Sequence, residues 1–539
     1  MESTASRYAI LSLILVLVLV ATPWKAYSTS IHDNFAKCLA STSHESKPQV
    51  YTRNSPAYSS ILESSINNLR FNTPTTAKPH FIITPTHESQ AQAVVTCSKK
   101  HGLQIRVRSG GHDFEGLSYV SNVPFVLIDL VNLRAIDVDV QDNSAWVQAG
   151  ATLGEVYYRI AEKSALHGFP AGDCHTVGVG GHLSGGGVGT MVRKYGMAAD
   201  HILDARLVTA KGEIVNRESM GEDLFWAIRG GGVASFGVLL AWKIKLVRVP
   251  RVVTISVVER TLEKGATDLV YKWQSIASYG FPKELWIGLN VSVVDKIDAS
   301  GIMGRTVQAT FEVLFLGRAE KLLQLMEDKF PELGMKKDDC KETSWIESAG
   351  IFAGFPNGTP LETLLNRSNV VYKGAFKLKS DFVMKPIPKT GLEGIWRRLL
   401  KEEKPELLLG PWGGRVNEIS QHKIPFPHRA GNMYLIAYVS NWDGRKGIEA
   451  SKKHLSWVRE LYDYMTPYVS KTPRGAYLNY RDIDLGKDHV NTTTSNASIW
   501  GHMYFKGNFK KLVEVKSKVD PHNFFTNEQS IPPLLSLST

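Results

Sequence analysis

Two glycine-rich runs contain the side chains best suited to chemistry. The run "RVRSGGHDFEGLSY" at 106–119 carries His112, and the run "GFPAGDCHTVGVGGHLSGGGVGT" at 168–190 carries Cys174. Glycine lets the main chain approach a ligand closely and adopts positive φ, so backbone N–H groups can converge on an anion such as a diphosphate. Imidazole and thiol are nucleophiles that can bond covalently to an electron-poor ring. Together the runs predict a diphosphate-bearing cofactor, and flavin fits best.

Other interpretations of the same runs are weaker. Either run taken alone is explained equally well as a glycine-rich surface loop. A Rossmann fingerprint is disfavoured because Gly178, Gly180 and Gly181 do not follow a strand with the required spacing, and no Gly-Lys-Ser/Thr ends a P-loop. The possible zinc ligands lack a Cys-x-x-Cys or His-x-x-x-His pair, so we expect no metal site. These possible ligands are His112, Cys174, His175 and His182.

The elements that must position these runs alternate strands with helices. Between about 78 and 250 the segments "HFIITP", "QIRVRSG", "FVLIDL" and "AWVQAGA" are typical of strands, and "LGEVYYRIAEKS" of an amphipathic helix. The segment "LVTAKGEIVN" predicts a hairpin that turns at Lys211 and Gly212. After it, "GEDLFWAIRGGGVASFGVLLAWKIKL" predicts a helix ended by glycines and then a strand. This part is predicted to be an α+β or α/β domain.

A second domain is expected over 251–474. The strand-like segments "RVVTISVVER" and "TVQATFEVLFLG" alternate there with helical ones such as "RAEKLLQLMEDKF", which favours an antiparallel sheet with helices on one face. The tail from 475 onward contains short motifs rich in Asn, Tyr and Phe, and we expect it to return to the first domain. A chain of 539 residues is long enough for two or three domains.

The composition indicates a soluble globular protein with a secretory leader. Lys and Arg give a formal charge of +11 but are scattered, so we expect no nucleic-acid partner. The apolar run at 9–22 has the length and flanks of a signal peptide cut near Ser28 rather than of a membrane span. We therefore expect no membrane partner and a final location outside the cell or in the vacuole. Five glycosylation sequons agree, at Asn290, Asn357, Asn366, Asn491 and Asn496.

An oxidising compartment makes one disulfide plausible among four cysteines. We favour Cys38 with Cys97, because both lie in the N-terminal region outside the glycine run, although the sequence itself leaves the connectivity open. Cys340 is expected to be a buried free thiol.

Six motifs in order resemble the plant berberine bridge enzyme-like family, within the vanillyl-alcohol-oxidase type of flavoproteins, and are most similar to the cannabinoid-acid synthases. The motifs read "RSGGHDFEGLSY", "CHTVGVGGHLSGGG", "YGMAADHILDARLV", "GEDLFWAIRGGG", "YLNYRDIDLG" and "KVDPHNFFTNEQSIPP", and the similarity as a whole runs from about 32 to 534. After the signal peptide expected at 1–28, the resemblance implies an α+β chain with a PCMH-type FAD-binding domain at 29–250, its core at about 75–250. It further implies a substrate domain at 251–474 and a segment at 475–539 that completes the FAD domain.

The resemblance also implies that FAD is attached twice, through His112 to the 8α-methyl carbon and through Cys174 to C6 of the ring. Val177 matches an oxygen-gate position where valine goes with oxidase behaviour, and the Cys38–Cys97 pair matches the family's disulfide. His182 is expected to be a packed, hydrogen-bonded residue of the cofactor loop. The residues implied to line FAD are Arg108, Ser109, Gly110, Gly111, Asp113, Val177, Gly178, Gly181, His182, Ser184, Tyr195, Glu222 and Val238.

Tyr480 in "LNYRDID" matches the tyrosine that acts as catalytic base in the resembled synthases. A phenol with its usual pKa of about 10 needs a nearby cation or the oxidised flavin to act near neutral pH. Tyr434 and Tyr438 are less favoured alternatives. His175, where proline is usual, could tune the flavin or replace a missing base.

The substrate pocket departs from the family's pattern. Phe114 stands where many relatives carry tyrosine, and Leu435 and Ala437 stand where relatives carry polar groups. A pocket of Phe114, Asn290, Trp412, Leu435 and Ala437 favours an aromatic or prenylated metabolite over a sugar, because each unmatched buried hydroxyl costs about 1–3 kcal/mol.

The sequence therefore predicts a monomeric FAD-linked oxidase of a small plant metabolite. It would pass electrons to O2 with formation of H2O2, in an oxidation that can be coupled to ring closure. Two alternatives stay open: a carbohydrate or monolignol oxidase of the same fold, and a non-redox cyclase of Diels–Alder type that keeps FAD as a structural element.

Overall fold

The computed structural model describes residues 33–42, 47–297, 301–368, 373–487 and 494–534, without the side chains of 494–496. The expected signal peptide and the sequon at Asn491 lie outside the described residues. Helix α1 covers 33–42, and a disulfide between Cys38 and Cys97 joins it to helix α3, Glu88–Lys100. The predicted pairing of these two cysteines is confirmed. Cys174 and Cys340 are free.

A four-stranded sheet opens the N-terminal half, in the order β1-β2-β4-β3. Strands β2 and β3 both pair parallel with β4, whose five residues are all buried, as expected of a strand covered on both faces. The strands predicted at "HFIITP", "QIRVRSG" and "FVLIDL" are confirmed. Their bounds, with helix α2, are β1 Gln49–Thr52, α2 Tyr58–Ser64, β2 Phe81–Thr84, β3 Gln104–Arg108 and β4 Phe125–Asp129.

A five-stranded antiparallel sheet follows, in the order β5-β6-β10-β8-β9. The predicted hairpin joins β8 to β9 at Lys211 and Gly212, where Gly212 has a φ of +82°. The helix predicted at "LGEVYYRIAEKS" begins with a capping box between Thr152 and Glu155. The bounds are β5 Ile136–Asp139, β6 Ser144–Gln148, α4 Leu153–Lys163, β7 His167–Gly168, α5 Val179–Ser184, α6 Val192–Tyr195, β8 Ile202–Val208, β9 Ile214–Val215, α7 Arg217–Ile228, β10 Val238–Lys245 and β11 Val247–Arg248.

The seven-stranded sheet of the next segment is antiparallel throughout its described pairs, in the order β15-β12-β14-β13-β17-β18-β16. Its elements are β12 Val253–Thr261, α8 Ala266–Ile276, β13 Leu285–Ile297, β14 Met303–Phe315, α9 Ala319–Lys329, β15 Cys340–Thr343, α10 Trp345–Phe352, β16 Ala375–Val383, α11 Lys389–Leu399, β17 Pro405–Pro411, α12 Arg415–Glu418, β18 Tyr434–Trp442 and α13 Gly447–Tyr464. An antiparallel sheet covered by helices is the architecture predicted from the sequence.

The two faces of this sheet have different neighbours. One face packs its apolar side chains against α8, α9, α11 and α13 in a separate core, whereas Leu314, Phe382 and Leu435 of the other face join the core of the N-terminal half. The tail packs back onto that half through α14 Thr494–Phe505 and α15 Asn508–Val519, where Lys516 Nζ donates to the Ser235 carbonyl at 2.7 Å. The described helices include none that is long and apolar enough to span a membrane.

Candidate active site

A cavity of about 450 Å³ lies where the N-terminal sheets, the second face of the seven-stranded sheet and the tail meet. One part of its wall is formed by both glycine-rich runs, and another by strands β16, β17 and β18. Most of the predicted site residues line it. They are Ser109, Gly110, Gly111, His112, Asp113, Phe114, Cys174, Val177, Gly178, Gly181, His182, Ser184 and Tyr480.

His112 and Cys174 come together at one hydroxyl. Thr176 Oγ1 lies 2.9 Å from His112 Nε2 and 3.6 Å from Cys174 Sγ. Two nucleophiles that are 62 positions apart in the chain therefore reach the same cavity from opposite loops. This donor set fits a single planar ring attached at two edges.

The glycine runs touch each other through main chain. A Cβ on Gly110 would lie 2.3 Å from the nitrogen of Gly178, and a Cβ on Gly178 would lie 2.2 Å from the nitrogen of Gly110. Gly181 differs, because a Cβ there would meet no other protein atom within 4 Å although the residue lines the cavity. The first two glycines permit close packing of the loops, and Gly181 leaves main chain open to a ligand, as a cofactor cradle requires.

Burial keeps the nucleophiles uncharged. It lowers the pKa of His112 to about 4, with the neighbouring His175 contributing. Burial also raises the pKa of the Cys174 thiol, against hydrogen bonding by Thr176. His182 accepts a hydrogen bond from the Gly172 N–H at 3.0 Å, and burial lowers its pKa to about 4. At neutral pH these imidazoles are unprotonated.

Aromatic rings form the wall near the seven-stranded sheet. Phe114 lies edge-on to Phe376 and Tyr480, with ring centroids 5.7 and 5.6 Å apart. On β18, Val439 and Asn441 line the cavity. Leu435 and Ala437 share their face because side chains alternate along a strand. Ala437 belongs to a small apolar cluster with Leu378 and Val439, against which Phe114 and Tyr480 pack.

Tyr434 and Tyr438 point to the opposite face of the same strand. Their hydroxyls donate to Gln274 at 2.7 Å and to Asp381 at 3.0 Å in the core under the helices. Neither lines the cavity, so of the three tyrosines considered from the sequence, Tyr480 is the one in a position to meet a ligand there.

The Tyr480 hydroxyl has no hydrogen-bond partner among the described residues. Burial, with the carboxylates of Asp173 and Glu406, raises its pKa to about 12. The adjacent Arg481 does not offset this shift, since its guanidinium pairs with Asp113 at 3.3 Å. The phenol therefore holds its proton near neutral pH.

Three half-buried carboxyl groups lie at or beside this part of the cavity. Asp173 lines it and accepts a hydrogen bond from the Thr190 hydroxyl at 3.4 Å. Glu312 and Glu406 lie on β14 and β17, and the strand register places both on the face that carries Leu408. Burial raises the pKa of Asp173 to about 7, with Glu312 contributing, and also raises the pKa of both glutamates. No lysine or arginine of the described ranges forms an ion pair with any of the three.

A paired ionic cluster lies close by, and we call it the clamp. Lys377 Nζ of β16 contacts Glu115 and lies 2.7 Å from Asp482, while Lys379 contacts Asp482 and Arg70 contacts Glu115. Glu115 follows Phe114 directly, and Asp482 comes two residues after Tyr480. The clamp thereby fixes both cavity-wall loops to one strand.

Several residues predicted to contact the cofactor lie outside the cavity. Buried Arg108 pairs with Asp129 at 2.6 Å, while its neighbours Val107 and Ser109 line the wall. Tyr195 donates to the Arg248 carbonyl. Glu222 pairs with Arg217 on the surface, its side chain 71% exposed. Val238 is buried in β10 between two lining residues.

Three further predicted residues also lie apart from the cavity. Trp412 is a core residue whose indole N–H donates to the His428 carbonyl at 2.8 Å. Asn290 donates to Glu406 at 2.7 Å, so this sequon's amide is engaged inside the protein. His175 turns away to pack on Phe355 and contact the Asn366 carbonyl at 3.2 Å.

Sequence reasoning missed Thr176, Asp173, Glu312 and Glu406. Asp173 carried a signal, because it is the one acidic residue of the glycine-rich run at 168–190 and comes immediately before Cys174. No sequence pattern indicated Glu312 and Glu406, because the alternation of side chains along a strand does not reveal which face of the strand lies toward a cavity.

Comparisons with known proteins agree with this geometry. The model of the FAD binding domain family matches residues 79–217, and that of the berberine and berberine-like family matches 476–532. Tetrahydroberberine oxidase of Berberis wilsoniae is 57% identical over 515 residues, 95% of this chain and 96% of that protein. The chain belongs to the berberine bridge enzyme-like family. It is an FAD-linked oxidoreductase with the α+β fold of that family, as the sequence motifs predicted.

Two more relatives are informative. A monolignol oxidoreductase of Arabidopsis thaliana is 50% identical over 511 residues, 94% of each chain. The solved structure of a berberine bridge enzyme variant is 37% identical, with a TM-score of 0.87 over 93% of this chain and 100% of that one. The names of these relatives refer to different small molecules. The substrate of this chain must therefore be inferred from the side chains that line its own cavity.

Proposed function

We propose that this family member oxidises an aromatic, amine-bearing plant metabolite at a carbon next to nitrogen. The observation that carries the proposal is one cavity that joins a doubly nucleophilic, glycine-lined cofactor wall to aromatic side chains and to Asp173, a carboxyl without a cationic partner among the described residues. Glu312 and Glu406 add two more carboxyls on the adjoining face of the sheet. Such a wall suits a cation with a large apolar body. A relative that is 57% identical and named for oxidation of tetrahydroberberine supports the same class.

The residues present fit FAD. We propose that His112 and Cys174 attach it at two ring edges, with Thr176 between them, and that Gly181 and its neighbours leave main chain open to the diphosphate. FAD when bound accepts a hydride from the substrate and passes the electrons to O2, which gives H2O2. Val177, which lines the cavity three residues after Cys174, is proposed to govern access of O2.

Tyr480 is the proposed catalytic side chain, because its phenol lies in the cavity without a hydrogen-bond partner among the described residues. With a pKa of about 12, it can take a proton from the substrate near neutral pH only while it gives up its own. It must therefore work with a second group that accepts a proton at that pH.

Anaerobic reduction of the bound flavin by tetrahydroberberine tests the proposal. We expect the visible flavin band to bleach in the wild type and to bleach about 10²–10⁴ times more slowly in Tyr480→Phe, the usual contribution of proton transfer. The matched control is Tyr434→Phe, which removes a buried hydroxyl on the opposite face of the sheet and should bleach at the wild-type rate. Equal rates in Tyr480→Phe and Tyr434→Phe would remove Tyr480 from the mechanism.

The same experiment separates the alternatives. Bleaching by a monolignol and by no amine would favour monolignol oxidation, for which the Arabidopsis relative gives support. Bleaching by a sugar would favour the carbohydrate oxidase. Product formation without bleaching would identify a non-redox cyclase.

A further inference from the structure

We infer that Asp173 is the group that receives the proton of a cationic substrate amine in this cavity, so that the amine is oxidised as its free base. The inference rests on the proposed function and adds to it a residue that decides which form of the substrate reacts. Three observations carry it: the position of Asp173, the charges around it and the protonation state of Tyr480.

An amine substrate creates a need for such a residue. Alkyl amines are protonated near neutral pH, and an ammonium nitrogen has no lone pair with which to assist departure of a hydride from the adjacent carbon. The proton must leave first. A base inside the cavity can remove it if its own pKa lies near the working pH.

Asp173 has the right position for this step. It lines the cavity that also contains Tyr480, and it immediately precedes Cys174, one of the two proposed attachment points of the ring. The hydroxyl of Thr190 is its side-chain hydrogen-bond partner in the described chain, at a long 3.4 Å. The backbone N–H of Thr190 also hydrogen-bonds to this carboxyl, which is close enough to Tyr480 to raise the pKa of its phenol. No cation is among these partners.

The charges that face Asp173 explain why it would select a cation. From the packed elements these are Glu312 of β14, Tyr480 of the tail, Tyr157 of α4 and the adjacent Cys174 thiol. All of them are acidic or neutral groups. Buried carboxylates are normally paired with a cation, because an unpaired buried charge is costly, and here a cationic ligand would supply the missing partner.

Tyr480 cannot be the final acceptor alone. Its phenol, with a pKa of about 12, keeps its proton at neutral pH, whereas Asp173 has a pKa of about 7. In the net step the N–H bond of the ammonium breaks and an O–H bond forms on Asp173. The products are the neutral amine and the neutral carboxylic acid, so charge and atoms balance whether or not the Tyr480 hydroxyl relays the proton.

Binding of a non-oxidisable pair of probes isolates the charge preference. The cation is a quaternary N,N-dimethyl tetrahydroisoquinolinium ion, and its neutral isostere has carbon in place of nitrogen. Calorimetry on the holoenzyme should show that the cation binds at least about tenfold more tightly than the isostere at about pH 8. This preference should decline as the pH falls, with a midpoint near 7 where Asp173 takes up its proton.

Two variants separate a proton-accepting role from a merely structural one. Asp173→Asn should bind both probes equally at every pH. Glu312→Gln should retain the preference but move its midpoint to lower pH, because the charge of Glu312 raises the pKa of Asp173. Retention of the preference and of its midpoint in Asp173→Asn would overturn the inference.

The reductive half-reaction gives a second readout. The rate of flavin bleaching by tetrahydroberberine should rise with pH through about 7 in the wild type, and the contribution of Asp173 should be absent in Asp173→Asn. If no amine bleaches the flavin but the cation preference depends on Asp173, the proposed oxidation is wrong and the cation site stands. If amines bleach the flavin with an unchanged pH profile in Asp173→Asn, the oxidation stands and Asp173 is not the acceptor.

Discussion

Two groups of enclosed charged side chains, each contributed in part by the seven-stranded sheet, differ in one respect. In the clamp, Lys377 and Lys379 neutralise Glu115 and Asp482. Asp173, which lines the cavity, and Glu312 and Glu406, on the sheet face beside it, form no ion pair with a lysine or arginine of the described residues. The first group satisfies its charges within the protein and the second does not.

The difference separates charges that hold the site from charges that face its ligand. Burial alone would lower the pKa of Lys377, but the carboxylates around it raise the pKa above its usual value, so the cluster stays ionised. At Asp173 burial and Glu312 act in the same direction and raise the pKa to about 7. A group poised to gain or lose a proton at neutral pH is suited to chemistry, and a fully paired group is suited to positioning.

The largest predicted effect comes from breaking the clamp. Lys377→Met should lower the free energy of unfolding by about 3–5 kcal/mol, because it leaves buried carboxylates without their partner. Denaturant unfolding measures this. The matched control is Lys452→Met on α13, where an exposed pair with Glu449 at 2.8 Å should contribute less than about 1 kcal/mol. Equal effects in both variants would mean that the clamp does not hold the loops.

A smaller effect of opposite sign is expected from Asp173→Asn. The pKa of Asp173 is raised from 3.8 to about 7, so ionisation of this carboxyl lowers the free energy of unfolding. This loss is absent below about pH 4, grows as the pH rises and is complete above about pH 7. Near pH 8 the variant should be more stable by up to about 4 kcal/mol, at about 1.4 kcal/mol per pKa unit. Thermal unfolding at several pH values should show this gain shrinking as the pH falls. A loss of stability at pH 8 would indicate that the carboxylate is already compensated.

Much of the fold followed from local sequence patterns. Strands β2, β3 and β4 of the first sheet, the hairpin at Gly212 and the helix at Leu153–Lys163 follow from periodicity, turn residues and caps that act over a few positions, whereas strand β1 was not predicted. The antiparallel sheet with helices on one face also followed from segment character. The contact of the Thr176 hydroxyl with both His112 and Cys174 could not be predicted in this way. The same holds for the orientation of the His175 side chain, because both features depend on how distant loops meet.

The site was predictable where glycine packing and nucleophiles mark it, and less so at the substrate wall. The sequence suggested an apolar wall from Phe114, Leu435 and Ala437, and the structure places acidic side chains around the same region. Glu312 and Glu406 come from strands whose order in the sheet is not sequential. The approach of Glu312 to Asp173, and of Glu406 to Glu312, is therefore a consequence of topology that no local pattern reports.

The proposed function requires one FAD ring that is attached to both glycine-rich loops of the cavity. Denaturation of the mature holoenzyme, followed by tryptic digestion and mass measurement of the coloured fraction, tests this directly. We predict a yellow species in which the peptide containing His112 and the peptide containing Cys174 are joined through one FAD. A colourless protein precipitate with both peptides at their unmodified masses would contradict the account.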